Sequence, residues 1–66
     1  MGRRKKEPRS VHRENIASVA SQLFAERGIS STSMDDIAKA AGYSKATLYV
    51  YFENKEEIVS ILVLDS

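Results

Sequence analysis

The sequence predicts an all-α fold: a small three-helix bundle containing a helix-turn-helix, followed by the start of a fourth, connecting helix. Three observations predict it. Apolar residues recur at three- and four-residue spacing, which places them on one face of a helix. Residues typical of helix starts and the two glycines Gly28 and Gly42 divide the chain into short segments. With 66 residues, the chain has room for one domain with a thin core.

The first helix is expected over about residues 10–27. Ser10, shortly after Pro8, is the candidate N-cap. Gly28 is expected to end this helix, because glycine readily adopts the left-handed conformation found at helix ends. One apolar stripe runs along the segment, formed by Ile16, Val19, Ala20, Leu23 and Phe24.

Two very short helices follow. Either hydroxyl of Thr32 or Ser33 can cap the second helix, which carries apolar residues inward and stops at Gly42. Ser44 is the N-cap candidate for the third helix, which continues to about Tyr51. Only Tyr43 separates Gly42 from that cap, so the two helices must cross at a steep angle, as in a helix-turn-helix of the homeodomain-like class.

The fourth helix is predicted from Asn54 and from Glu57 three residues later, a pair typical of a helix start. Residues 58–64 are apolar nearly all round, more than a three-helix body can cover. We therefore expect either that the chain is the front of a longer protein or that it pairs with a second copy; the alternative is a frayed apolar end. The predicted organisation is a basic flexible arm over 1–9, the helix-turn-helix domain over 10–53 and the fourth helix over 54–66.

Charge is distributed unevenly. The first thirteen residues carry six cations against Glu7, a net charge of +5, whereas the whole chain carries +1. Such an arm either remains a solvated terminus or follows nucleic-acid phosphates. The arm cations are Arg3, Arg4, Lys5, Lys6, Arg9 and Arg13.

Several function classes are disfavoured by the residue inventory. The chain has no cysteine and one histidine, His12, which we expect to be solvated on the first turn of the first helix, so neither an enzyme, nor a metal site, nor a cofactor is expected. No apolar run approaches the roughly 18 residues of a membrane span. The composition suits a cytoplasmic protein that does not enter a membrane.

Three stretches together form a specific pattern. They are the apolar residues Ile16, Ala20, Leu23 and Phe24 with Gly28, then the segment 32–42, then the segment 44–56. From about residue 16 to residue 58 the chain closely resembles the tetracycline-repressor (TetR) family of transcription regulators. The tail formed by Tyr49, Phe52, Lys55 and Glu56 distinguishes this family from LacI-type and other helix-turn-helix proteins.

The resemblance implies a homodimeric DNA-binding repressor with a larger C-terminal helical domain that forms the dimer interface. It implies double-stranded DNA with a palindromic operator as the partner, and a small-molecule effector only for the full-length protein. The third helix, from Ser44 to Tyr51, would lie in the major groove. The runner-up is a protein-interaction module that uses the apolar fourth helix and the acidic residues Glu53, Glu56 and Glu57.

Residue roles follow from the resemblance, position by position. Base contacts are expected from Lys45 to guanine, from Ala46 to a thymine methyl and from Thr47 to a base edge or phosphate. Gly42 is the turn glycine. Phosphate contacts are expected from Thr32, Ser33, Ser44, Tyr49, Tyr51 and Lys55, and minor-groove or backbone contacts from Arg3, Arg4, Lys5 and Lys6.

Two residues depart from the common family pattern. Tyr43 stands where a smaller aliphatic residue is usual, so the angle of the third helix can differ or the hydroxyl can add a contact. Ala46 replaces the more common glycine, which stiffens the first turn of the third helix. Base preference therefore cannot be transferred from a relative.

Overall fold

The computed structural model describes residues 8–64, which form four α-helices. These are α1 (Arg9–Arg27), α2 (Met34–Ala41), α3 (Lys45–Tyr51) and α4 (Lys55–Leu64). Helix α1 packs against the other three helices, and α2 packs against α3. The predicted all-α class and the order of four helices are confirmed, with no strand among the described residues.

One apolar core joins all four helices, because each contributes at least one side chain that is almost fully buried. Leu48 of α3 and Phe52, the residue after α3, are 0% and 1% exposed. The buried apolar residues are Ile16, Ala17, Ala20, Met34, Ile37, Ala38, Leu48, Phe52 and Ile58. The inward stripe of α1 is therefore the surface on which α2, α3 and α4 assemble.

The start of α1 differs from the prediction. Helix α1 begins at Arg9, one residue earlier than expected, and Pro8 is its N-cap without a side-chain hydrogen bond. Ser10 therefore lies inside the helix, and its predicted capping role is wrong. The reason is that Pro8 already fixes the backbone near φ −66°, which suits the entry to a helix without a capping side chain.

The turn between α2 and α3 depends on Gly42, as predicted. Gly42 has φ 81° and ψ 26°, the left-handed conformation that a glycine adopts at little cost. Its N–H donates to Lys39 O, and the N–H of Tyr43 donates to Ala38 O at 2.9 Å, the two bonds of a Schellman motif. Helix α2 therefore ends abruptly at Ala41, and three residues separate it from the start of α3.

Helix α4 is only partly covered by the rest of the fold. Ile58 is fully buried, whereas Ile61 and Leu62 are partly buried and Val63 is 65% exposed. Asn54 Oδ1 accepts a hydrogen bond from Glu57 N, which confirms the predicted helix start. The expectation that α4 presents more apolar surface than this body covers agrees with the exposure of Val63.

Candidate nucleic-acid interface

Helix α3 presents one contiguous outward face. Leu48 points into the core, while Lys45, Ala46, Tyr49 and Val50 are all exposed. These four residues occupy neighbouring positions around a helix that turns about 100° per residue, so they form one continuous strip. The strip combines a cation, a phenol and two apolar side chains, and these groups match base edges, phosphates and thymine methyl groups.

The start of α3 is fixed by Ser44, the predicted N-cap. Ser44 Oγ accepts the N–H of Thr47 at 3.1 Å and donates to Thr47 Oγ1 at 2.8 Å. The Ser44 hydroxyl is therefore committed to the helix, whereas the hydroxyl hydrogen of Thr47 is left to donate to an outside acceptor. The two hydrogen bonds hold the side chain of Thr47 at the N-terminal turn of α3.

The start of α2 is held by a capping box. Ser33 Oγ accepts from Asp36 N at 3.1 Å, and Asp36 Oδ2 accepts from Ser33 N at 3.0 Å. The hydrogen bond from the Ser33 N–H to the carboxylate, and next the Ser33 side chain, hold the pKa of Asp36 below its ordinary value. Asp36 also lies 3.4 Å from the guanidinium of Arg27, which joins the ends of α1 and α2.

The side chain of Thr32 is buried inside the fold. Its side chain is 1% exposed, and its hydroxyl donates to Gly28 O at 2.8 Å. The prediction that Thr32 contacts a phosphate disagrees with this burial. The hydroxyl instead satisfies the carbonyl of Gly28, where the chain leaves α1 with φ 87°.

Lys55 also has a different environment from the one predicted. Its Nζ donates to Ile29 O at 2.7 Å and to Thr32 O at 2.8 Å, both in the loop between α1 and α2. Two carbonyl oxygens therefore accept two of the three hydrogens of this ammonium group. Lys55 therefore ties the start of α4 to that loop, and this contact does not involve a phosphate.

The two tyrosines of α3 lie in different surroundings. Tyr49 is 45% exposed and faces outward. Tyr51 is half-buried, with its ring 5.4 Å from the ring of His12 and the guanidinium of Arg9 5.0 Å from its centroid. Tyr49 is therefore better placed than Tyr51 to reach an outside ligand.

His12 was expected to be solvated, and this expectation is wrong. The residue is half-buried, and its Nδ1 lies 2.8 Å from the hydroxyl of Tyr43, with the two rings edge to face at 5.8 Å. Tyr43, the unusual residue of the turn, thus finds a partner on α1. No local sequence pattern indicates this pair, because 31 positions separate the two residues.

The predicted arm contacts, from Arg3, Arg4, Lys5 and Lys6, lie outside the described residues. Within residues 8–64, no group of three or more potential metal ligands comes together. In the same range, no helix has the length and apolar character needed to cross a membrane.

Comparison with known proteins gives a consistent result. Residues 16–61 match the family model "Bacterial regulatory proteins, tetR family". The chain is 40% identical over 60 residues to the HTH-type transcriptional regulator AcrR of Shigella flexneri, covering 91% of this chain and 28% of AcrR. It is 41% identical over 66 residues to the regulator TtgR of Pseudomonas putida, covering 100% of this chain and 31% of TtgR.

A solved structure shows the same fold. The fatty acid degradation regulator FadR from Bacillus halodurans superposes with a TM-score of 0.69 at 40% identity, covering 83% of this chain and 28% of FadR. The chain therefore spans less than a third of the length of these relatives. From the helix-turn-helix geometry and these matches, we conclude that the chain belongs to the TetR family of bacterial transcriptional regulators.

Proposed function

We propose that this chain binds double-stranded DNA sequence-specifically, with α3 in the major groove, as the DNA-binding head of a transcriptional repressor. The observation that carries the proposal is the outward strip of α3. Its side chains suit a nucleic acid, while Leu48 on the opposite side anchors the helix in the core. The same function is supported by relatives that are named regulators, such as the transcriptional repressor KstR2 of Rhodococcus jostii.

The proposed base contacts come from the first turn of α3. Lys45 donates to the O6 and N7 acceptors of a guanine, Ala46 contacts a thymine methyl, and Thr47 donates to a base edge or a phosphate. These three residues are consecutive, and the cap from Ser44 holds their turn in place. We therefore assign sequence specificity to the first turn of α3. The residues around this turn would position the helix on the DNA.

The proposed phosphate contacts come from residues around this turn. Tyr49 donates its exposed hydroxyl, and Ser33 and Ser44 mark the N-termini of α2 and α3, where the positive end of the helix dipole favours anions. Tyr51 is a weaker candidate, because its ring is held by Arg9 and His12. Thr32 and Lys55 are left out, since internal hydrogen bonds occupy both.

The partners of the whole protein belong to the same proposal. We propose a homodimer formed through a C-terminal domain, a palindromic operator and a small-molecule effector that binds that domain. The short coverage of the relatives, 28% of AcrR and 31% of TtgR, leaves room for such a domain. We also propose that the protein acts by binding, without catalysis, and that it does so in the bacterial cytoplasm, where the DNA lies. Both proposals agree with the names of the relatives, which are regulators.

A protein-interaction module built on α4 has less support. Ile58 is fully buried against the core, and Ile61 and Leu62 are partly covered, so much of the apolar surface of α4 is already used within the fold. The acidic residues Glu53, Glu56 and Glu57 are exposed, and Glu57 Oε1 accepts from Glu53 N.

The test is selection from a random duplex library with this chain fused to a dimerising coiled coil, at two salt concentrations. We expect enrichment of an inverted repeat whose half-sites lie about one helical turn, or a multiple of it, apart. Affinity should fall as salt rises, with a log–log slope of about −0.9 per neutralised phosphate. Failure to enrich any sequence at low salt would reject the proposal and favour the interaction module.

A further inference from the structure

We propose that Val50 is a further specificity-determining residue, and that Val50 and Ala46 together form an apolar ridge that recognises thymine methyl groups. The inference rests on the proposed major-groove binding by α3 and names the chemistry that this helix selects. The base contacts proposed so far come from residues 45–47, and Val50 lies a turn beyond them on the same helix.

The position of the ridge follows from the geometry of α3. Ala46 and Val50 are four residues apart and therefore lie on the same face. Leu48, two residues from each, lies about 200° away around the helix and is 0% exposed in the core. The ridge is thus directly opposite the buried side, so it is the part of α3 that projects furthest from the body of the domain.

The ridge exposes apolar surface to solvent. Val50 is 61% exposed, although a large apolar side chain at the outermost line of a small domain gains nothing from contact with water. Lys45 and Tyr49 flank the ridge on one side, and Thr47 on the other. Polar side chains thus lie on both sides of the apolar ridge. This arrangement suits a ligand surface that carries a hydrophobic group between hydrogen-bonding groups.

The floor of the major groove offers one such group. Guanine, cytosine and adenine present donors and acceptors there, whereas thymine also presents its C5-methyl group. Facing a donor or acceptor, the ridge would remove water without replacing its hydrogen bonds, which is unfavourable. Facing a thymine methyl, it buries apolar surface on both sides. We therefore expect A·T pairs in the operator half-site where the ridge lies.

Contacts at the end of α3 hold Val50 in place. The Arg9 guanidinium reaches the carbonyl of Val50 at 3.4 Å and lies 5.0 Å from the ring centroid of Tyr51. These contacts involve the backbone and a neighbouring side chain, so they leave the Val50 side chain outward. The ridge therefore sits on a helix that α1 supports as well as the core.

The experiment uses the dimerised chain and the operator obtained by selection. Each thymine of a half-site is replaced in turn by deoxyuridine, which removes the C5-methyl group and leaves every hydrogen-bonding group unchanged. Removing a buried methyl should weaken binding about fourfold at the thymine that faces Val50. With Val50→Ala, the same replacement should have little effect, so the two changes are not additive.

Val63→Ala is the matched control, because Val63 is the same residue type, 65% exposed, on α4 instead of α3. It should leave the deoxyuridine pattern unchanged. Thermal unfolding of Val50→Ala should match that of the unaltered chain. This measurement distinguishes an effect on base recognition from an effect on folding. If an operator is selected but no thymine loses its methyl dependence in Val50→Ala, the role of Val50 is overturned while DNA binding stands. If no operator is selected, both proposals fail.

Discussion

His12 Nδ1 and the hydroxyl of Tyr43 lie 2.8 Å apart, joining the first turn of α1 to the turn that precedes α3. The same histidine ring stands 5.4 Å from Tyr51 at the far end of α3. Helix α1 thus contacts the chain on both sides of the proposed recognition helix. The tyrosine that departs from the family pattern therefore has a structural explanation, as the partner of this histidine.

We predict that this pair contributes to stability as a unit. His12→Ala and Tyr43→Phe should each lower the free energy of unfolding, and the double variant should lose less than their sum by about 0.5–1.5 kcal/mol. Urea unfolding of the four proteins measures this coupling. Tyr49→Phe is the control, because the exposed Tyr49 hydroxyl should not affect stability. Strict additivity would contradict the hydrogen bond.

Lys45→Ala should relax the preference at one base pair of each half-site. Lys45 is proposed to donate to a guanine, so its removal should reduce discrimination there by about 1–3 kcal/mol and leave the other positions unchanged. Repeating the library selection with the variant measures this directly. An unchanged sequence preference would reject the assignment of Lys45 as a base reader.

Tyr49→Phe should weaken binding to all sequences alike. The variant keeps the ring and removes only the hydroxyl proposed to donate to a phosphate, a hydrogen bond expected to contribute about 0.5–1.5 kcal/mol. Affinities for the selected operator and for random duplex should therefore fall by a similar factor. A loss confined to the operator would show that Tyr49 reads bases.

Lys55→Met should destabilise the fold by about 1–2 kcal/mol, because the variant keeps the apolar stem but removes the donors to Ile29 O and Thr32 O. Lys39→Met is the control: Lys39 is exposed on α2, and a surface change there should stay within about 0.5 kcal/mol. Thermal or urea unfolding measures both. Equal stabilities of the two variants would indicate that the Lys55 contacts contribute nothing.

The stability of the domain should depend on pH through Asp36. Its pKa in the folded chain is lowered, first by the hydrogen bond from the Ser33 N–H, so ionised Asp36 stabilises the fold above its unfolded pKa of about 3.8. That contribution should disappear as pH falls through the lower, folded pKa. Asp36→Asn should therefore have a lower Tm than the unaltered chain at pH 7, with the difference shrinking in strong acid.

Asp35→Asn is the matched control for this pH series. Asp35 lies on the same first turn of α2, is exposed and takes no part in the capping box. Its substitution should change the Tm less than Asp36→Asn across the pH range. If both variants follow the same pH profile, the effect belongs to the charge near the helix N-terminus and not to the capping box.

Local patterns predicted the elements of this fold well. Gly42 at the end of α2, Ser44 as the cap of α3 and the Asn54 and Glu57 pair at the start of α4 depend on residues within about four positions of one another. The inward stripe of α1, with Ile16 and Ala20 fully buried, followed from periodicity. Interactions of short range in the chain can be inferred without knowing the tertiary structure.

One departure from the predictions is local: Pro8, not Ser10, precedes α1. The other departures concern side chains whose partners are distant in the sequence. Lys55 donates to a carbonyl 26 positions away, and His12 lies beside a tyrosine 31 positions away. Thr32 was one of two equivalent capping hydroxyls until the fold buried it and left Ser33 to cap α2. Helix type and order were therefore determined by the sequence alone, because they depend on spacing. Which polar groups face outward was decided only by packing, since burial and distant carbonyl groups select among side chains that look alike in the sequence.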